Sequence, residues 1–164
     1  MLARLVVVVA LLAGLLAASA TQARAQETRV IEVVSVELEL VVKDTKPKKA
    51  ANKGDSIVFR DKLLNPAPQF GMAKGARVGS DRGTLTYTTA KRARFDGTAT
   101  LPGGTLFLRG EVFSRREGGM AIPVAGGTGK FKGARGVLLV DPSNPKTPNR
   151  ALNTYRLTFP APVA

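Results

Sequence analysis

The chain has 164 residues, with 25 Lys plus Arg against 12 Asp plus Glu, and it contains no Cys, no His and no Trp. That length fits one compact domain, and the missing Cys and His exclude thiolate nucleophiles, disulfides, Ser-His-Asp triads, zinc fingers and imidazole metal ligands. Seventeen Gly and ten Pro without a Gly-x-y period exclude collagen and forecast many tight turns, leaving any chemistry to Asp, Glu, Lys, Arg, Tyr, Ser or Thr.

After Arg4 an uncharged apolar run extends from Leu5 to Ala18, followed by small and polar residues that end in Ala23, Arg24 and Ala25. A charged start, an apolar stretch and an A-x-A site read as a signal peptide over 1–25, with a mature domain over 26–164 that is secreted, extracellular or periplasmic. The run falls short of the roughly 20 apolar residues that a membrane anchor needs, so no membrane span is expected after cleavage. Removing Arg4 and Arg24 leaves 23 basic against 12 acidic residues, a net charge of +11. Such a charge favours anionic polymers, including wall polymers and lipid headgroups. Export, and the lack of an RNA-binding aromatic motif or basic helix, argue against specific nucleic-acid binding. A solvated basic surface is the plainest reading, and a non-specific anionic polymer the alternative partner.

From Thr28 to Lys43 apolar residues fall on alternate positions, with Val34, Val36, Leu38, Leu40 and Val42 on one parity and Ser35, Glu37 and Glu39 on the other, which predicts a long strand. Asp44 to Asp55 combines Pro47, Gly54 and a cluster of Lys, the signature of a mobile surface loop. Ser56 to Leu64 reads as a second strand, ended by Asn65, Pro66 and Pro68. Further strands are predicted at 73–79, 84–89, 95–101, 105–113, 120–125, 136–140 and 153–159, separated by turn residues at 81–83, 102–104, 118–119 and 142–148. No sustained helical stripe follows Gln26. Many short strands at this spacing indicate a sandwich or barrel. Pairing the last strand with the first removes open edges, so the predicted class is all-β, a closed barrel of about eight antiparallel strands. At that size the interior is filled by side chains or holds one small ligand.

The most distinctive stretch is VAGGTGKFKGARGVLLV, Val124 to Val140. A phosphate-binding loop would need Gly where Val124 stands and Ser or Thr where Phe131 stands, and no helix follows, so that reading fails. Glycines that permit positive φ in a tight link between strands, with Phe131 plugging the barrel end, account for it. The stretch closely resembles the GGTG-x-F-x-x-A-x-G signature of dirigent proteins and allene oxide cyclase-like barrels, with Phe131, Ala134 and Gly136 at the required spacing. The likeness extends in order through GDSIVFRDKLLN, GARVGSDRGTLTYT, LPGGTLFLRGEVF and YRLTF, and it is greater to the bacterial allene oxide cyclase-like branch than to plant members. The resemblance implies a closed eight-stranded antiparallel β-barrel, commonly a homotrimer. Its apolar lumen would hold a hydrophobic small molecule and steer its cyclisation or coupling, as a cofactor-independent cyclase, isomerase or stereo-directing protein.

By the same resemblance Arg135 takes the position of an Arg associated with the pocket, and a turn Arg bonding carbonyls is its structural alternative. Lys130 stands where some dirigents carry an acid. Glu37 and Tyr87 join Arg135 as catalytic candidates, on the premise that Glu37 and Glu39 share one face of the first strand and either line the lumen or lie on the surface. Ligand-binding candidates are Glu39, Asp55, Arg109, Phe131 and Tyr155. Asp55 also fits a turn that bonds nearby backbone, and Arg109 an outward ion pair with Glu111. Two functions from other classes compete with the cyclase reading. One is a non-catalytic binding module for a hydrophobic ligand or an anionic envelope polymer; the other is a protein whose lumen is filled.

Overall fold

A computed structural model describes residues 26–45, 51–114, 119–142, 147 and 149–160. The expected signal peptide, 1–25, lies outside the described residues, as do Lys48 and Lys49 of the basic loop. Eight strands follow in chain order: β1 (Glu27–Lys43), β2 (Ser56–Leu64), β3 (Arg77–Thr89), β4 (Arg92–Leu101), β5 (Gly104–Ser114), β6 (Met120–Gly127), β7 (Arg135–Pro142) and β8 (Arg150–Phe159). Each pairs antiparallel with the next, and β8 returns to β1 in a register running from Glu27 opposite Phe159 to Val36 opposite Arg150. The sheet is thereby a closed antiparallel barrel.

Closure buries one parity of every strand. Ile31 and Val33 of β1, Leu63 of β2, Phe95 of β4, Leu106 and Leu108 of β5, Ile122 and Val124 of β6, Leu138 of β7 and Leu157 of β8 form one continuous core. These side chains fill the apolar part of the lumen, the outcome open to a barrel of eight strands.

Three sequence expectations are corrected. The segments 73–79 and 84–89 are not two strands around a turn; β3 is continuous, because Arg82 finds ladder partners on both sides, Arg60 of β2 and Thr98 of β4. Gly83 belongs to the strand because the Phe95 ring lies where its Cβ would stand. Next, the parity of β1 is the reverse of the expected one over its first half: Ile31, Val33 and Ser35 are buried at 4%, 0% and 5% exposure, facing inward. Finally, a β-bulge between Glu37 and Glu39 sets Glu37 opposite Asp61 and Glu39 opposite Arg60, so the two Glu do not share a face. One inserted residue reverses every side chain beyond it. Past the bulge β1 has only β2 beside it, because β8 begins at Arg150, and Leu38, Leu40, Val41 and Val42 are left exposed.

The glycine-rich link between β6 and β7 closes one barrel end. A 3₁₀ turn, Gly129–Phe131, is tied to the β4–β5 connection by Lys130 N–H donating to the Gly103 carbonyl at 2.8 Å, and Thr128 N–H donates to the Thr105 carbonyl at 2.8 Å. Gly129 adopts φ +56°, and a Cβ on Gly127 would press on the Phe131 and Thr105 carbonyl oxygens at 2.7 Å. Phe131 is 1% exposed and plugs that end.

Candidate active site

Two strands carry an acid on the parity that points inward. In β2 the order is Phe59, Asp61, Leu63, and in β3 it is Gly79, Asp81, Gly83, Leu85, so each Asp stands where the alternation calls for an apolar residue. The register then places Asp61 directly opposite Asp81. Side chains so paired have Cβ atoms about 4.5–5.5 Å apart, and like charges there repel. Asp81 is 6% exposed. Burial, reinforced by the charge of Asp61, pushes its pKa up to about 7, while burial also raises Asp61, opposed by a hydrogen bond from Ser35. Near neutral pH Asp81 is therefore about half protonated, and because the two carboxyls face each other the titration belongs to the pair.

Two residues of β8 complete the cluster. The Asn153 amide donates a long hydrogen bond of 3.4 Å to Asp81 Oδ2. Tyr155 is fully buried, and its phenol is pushed well above the usual range by burial and then by the charge of Asp81. Asp61 Oδ1, Asp81 Oδ1, Asn153 Oδ1 and the Tyr155 hydroxyl have no hydrogen-bond partner among the described residues. Buried polar atoms in native proteins are rarely left so, and here they gather on one cluster. Of the cluster, Asp61 borders a cavity of about 120 Å³ that is lined also by Ser35, Glu37, Asn149, Arg150 and Ala151, at the point where β1 bulges and β8 begins. The lining is polar, not the apolar wall that the family resemblance implies. A proton donor and a carboxylate acceptor side by side, with a phenol within the same enclosure, suit general acid–base work near neutral pH.

The sequence candidates are divided by the fold. Tyr155 belongs to the cluster, and Glu37 lines the cavity beside it. Tyr87 is half-buried six residues along β3 from Asp81, about 20 Å at strand rise, so it is not part of this site. Arg135 is exposed on the outer wall, its guanidinium donating to the Ala125 carbonyl as in its structural alternative, and it is not among the residues of this cluster. Glu39 faces outward and pairs with Arg60 at 3.4 Å. Asp55 is a turn clamp: its carboxylate accepts from Thr45 N–H at 2.7 Å, the Thr45 hydroxyl and Asn52 N–H at 2.7 Å, and the Thr45 hydroxyl bond leads in holding its pKa below the usual range. Arg109 faces outward as well, but its partner is Asp96 on β4 at 2.8 Å, while Glu111 pairs with Arg92 at 3.5 Å. Strand neighbours two apart lie farther from each other than residues facing across the ladder. Phe131 is buried as the plug of the barrel end, away from this cluster's strand register. Sequence reasoning missed Asp61, Asp81, Asn153 and Ser35; the signal available was an acid interrupting the inward parity of two adjacent strands.

The model of the family described as Dirigent-like protein matches residues 18–159. No curated protein sequence matches the chain. Among solved structures, a pyocyanin demethylase is similar at 22% identity and a TM-score of 0.62, covering 79% of this chain and 99% of that one. A pterocarpan synthase dirigent protein is similar at 19% identity and a TM-score of 0.58, covering 84% and 86%. The Diels–Alderase AbmU from Streptomyces koyangensis is similar at 18% identity and a TM-score of 0.57, covering 81% and 68%. At these identities the likeness establishes the fold.

Proposed function

We propose that this chain, which belongs to the dirigent-like protein family, binds a small molecule at the Asp61–Asp81 cluster and steers its cyclisation or coupling by proton transfer. The observation that carries this reading is the opposed acid pair, each carboxyl with one unpartnered buried oxygen, beside the unpartnered Asn153 Oδ1 and Tyr155 hydroxyl. In its protonated form Asp81 donates to a carbonyl or ether oxygen of the ligand, polarising the bond that reacts, while ionised Asp61 accepts a proton released elsewhere on the same molecule. Tyr155 supplies a second donor and Asn153 orients Asp81. Similar structures support the class of reaction, since a cyclase catalysing a [4 + 2] cycloaddition and a pterocarpan synthase share this fold.

The cavity of about 120 Å³ takes only the reacting head of a ligand, because drug-sized ligands occupy about 300 Å³ or more. The remainder of the molecule would lie against the exposed apolar run Leu38 to Val42, which directly follows Glu37. Export of the mature domain and assembly as a trimer belong to the same proposal. The test is native mass spectrometry of the purified protein, followed by turnover of the captured compound. Asp61→Asn and Asp81→Asn should each remove turnover by more than about a hundredfold, the range of a lost general acid or base. Retention of full turnover in both variants would leave the barrel as a binding module without acid–base chemistry.

A further inference from the structure

Outside the barrel, one rung of the sheet has a composition that fold stability does not ask for. Arg60 of β2 stands opposite Arg82 of β3, Arg82 opposite Thr98 of β4, Thr98 opposite Phe107 of β5, and Phe107 opposite Gly126 of β6. Two arginines directly opposite each other repel. Arg60 is partly neutralised by Glu39 at 3.4 Å, and Arg109 on the neighbouring rung is tied to Asp96. Arg82 is exposed and has no ion pair among the described residues. Phe107 presents its ring to solvent at 41% exposure.

The same rung is concave. Depressions of about 300, 340 and 290 Å³ lie side by side along it: the first is flanked by Arg60 and Arg82 with Ser80, Asp81, Thr98 and Thr100, the second shares Arg82 and Thr98 with it, and the third shares Thr98 and runs to Phe107. Three strand spacings separate Arg60 from Phe107, about 14 Å. That length calls for an extended occupant, not a single ion.

We propose that this outer trough binds an acidic polysaccharide, one whose sugar rings carry carboxylates at intervals. Arg82, with Arg60 beside it, receives a carboxylate in the bidentate manner that guanidinium favours. The hydroxyls of Ser80, Thr98 and Thr100 exchange hydrogen bonds with sugar hydroxyls, and the apolar face of a ring rests on Phe107. Charge density selects this occupant over a phosphate polymer. The trough offers one unpaired guanidinium and also contains Asp81 and Asp96, an arrangement that suits a polymer with one carboxylate per sugar ring set among neutral hydroxyls over a polyphosphate, which is charged at every phosphate with no hydroxyl between. Arg60, Arg82, Thr98 and Phe107 lie on the parity opposite that of the interior acid pair, of which Asp81 alone borders the trough.

Titration of the full chain with polygalacturonate at low salt tests this, with neutral dextran, polyphosphate and anionic phosphatidylglycerol vesicles as comparison probes. Polygalacturonate should bind and dextran should not. Arg82→Gln should weaken binding by about tenfold or more, the worth of a charge-assisted hydrogen-bonded pair, and Phe107→Ala should weaken polygalacturonate but not polyphosphate. Lys91→Gln and Lys132→Gln remove the same charge elsewhere on the surface and should stay within about twofold. Equal losses from Arg82→Gln and Lys132→Gln would overturn the proposal in favour of diffuse net charge. Tighter binding of polyphosphate or vesicles, independent of Phe107, would overturn it in favour of a phosphate polymer or a lipid surface.

Discussion

Replacing Asp81 with Asn removes a buried ionisation from the middle of the barrel and should stabilise the protein at neutral pH. In the unfolded chain this carboxyl titrates near 3.8, whereas in the barrel it holds its proton to about 7. At about 1.36 kcal/mol per pKa unit, forcing the charge into the folded interior costs up to about 4 kcal/mol. The sign follows from proton counting. Between pH 4 and 7 the folded protein binds more protons at this site than the unfolded chain, so stability falls as pH rises through that window and levels off above it. Asp81→Asn should lack this decline, match the parent near pH 4, and exceed it by up to about 4 kcal/mol, or about 10 °C in Tm, at pH 8. The new amide also gains a donor for the unpartnered Asp61 Oδ1. Urea unfolding followed by far-UV circular dichroism suits a chain without Trp, with measurements at intervals from pH 4 to 8. Parallel pH profiles for parent and variant would show that Asp81 titrates inside the barrel as it does in the unfolded chain and is ionised there at neutral pH without penalty, and the acid–base reading of the pair would fall with it.

Tyr155→Phe should leave Tm unchanged or raise it slightly, because the lost hydroxyl has no partner to strand, while turnover of a captured ligand falls; a clear loss of stability would mean the hydroxyl is engaged in the fold. Gly129→Val should destabilise by more than about 1 kcal/mol, since φ is +56° there, and Gly127→Val by at least as much because its Cβ would meet two carbonyls; unchanged melting in both would remove the architectural account of the glycine-rich link. Asp55→Ala should lower Tm at pH 7 and reduce the loss of stability on acidification, because a carboxylate with a lowered pKa contributes above the unfolded value and is lost as pH falls through the folded one; an unaltered acid limb in thermal melts would contradict the clamp. Arg135→Ala should leave ligand capture and turnover unchanged, which activity measurements on the captured compound would check.

Local chemistry determined a good deal by itself. Period-two alternation located β1, β2 and β5 nearly to the residue, Gly and Pro marked the turn around 102–104, and the GGTG-x-F pattern identified both the plug and the family. These features depend on neighbours within a few residues, where backbone preference and pattern act directly. The tertiary structure alone decided which face of β1 turns inward, because a single bulged residue at Glu37–Glu39 is invisible in alternation and reverses everything after it. It also decided the partners of Arg109 and the outward place of Arg135. Above all, it brought Asp61, Asp81, Asn153 and Tyr155 together. Each reads as an unremarkable strand residue on its own; their joint meaning comes from a register between β2 and β3 and from the return of β8 to β1. Cross-strand register is set by closing the whole sheet around one core, a constraint that no local segment contains.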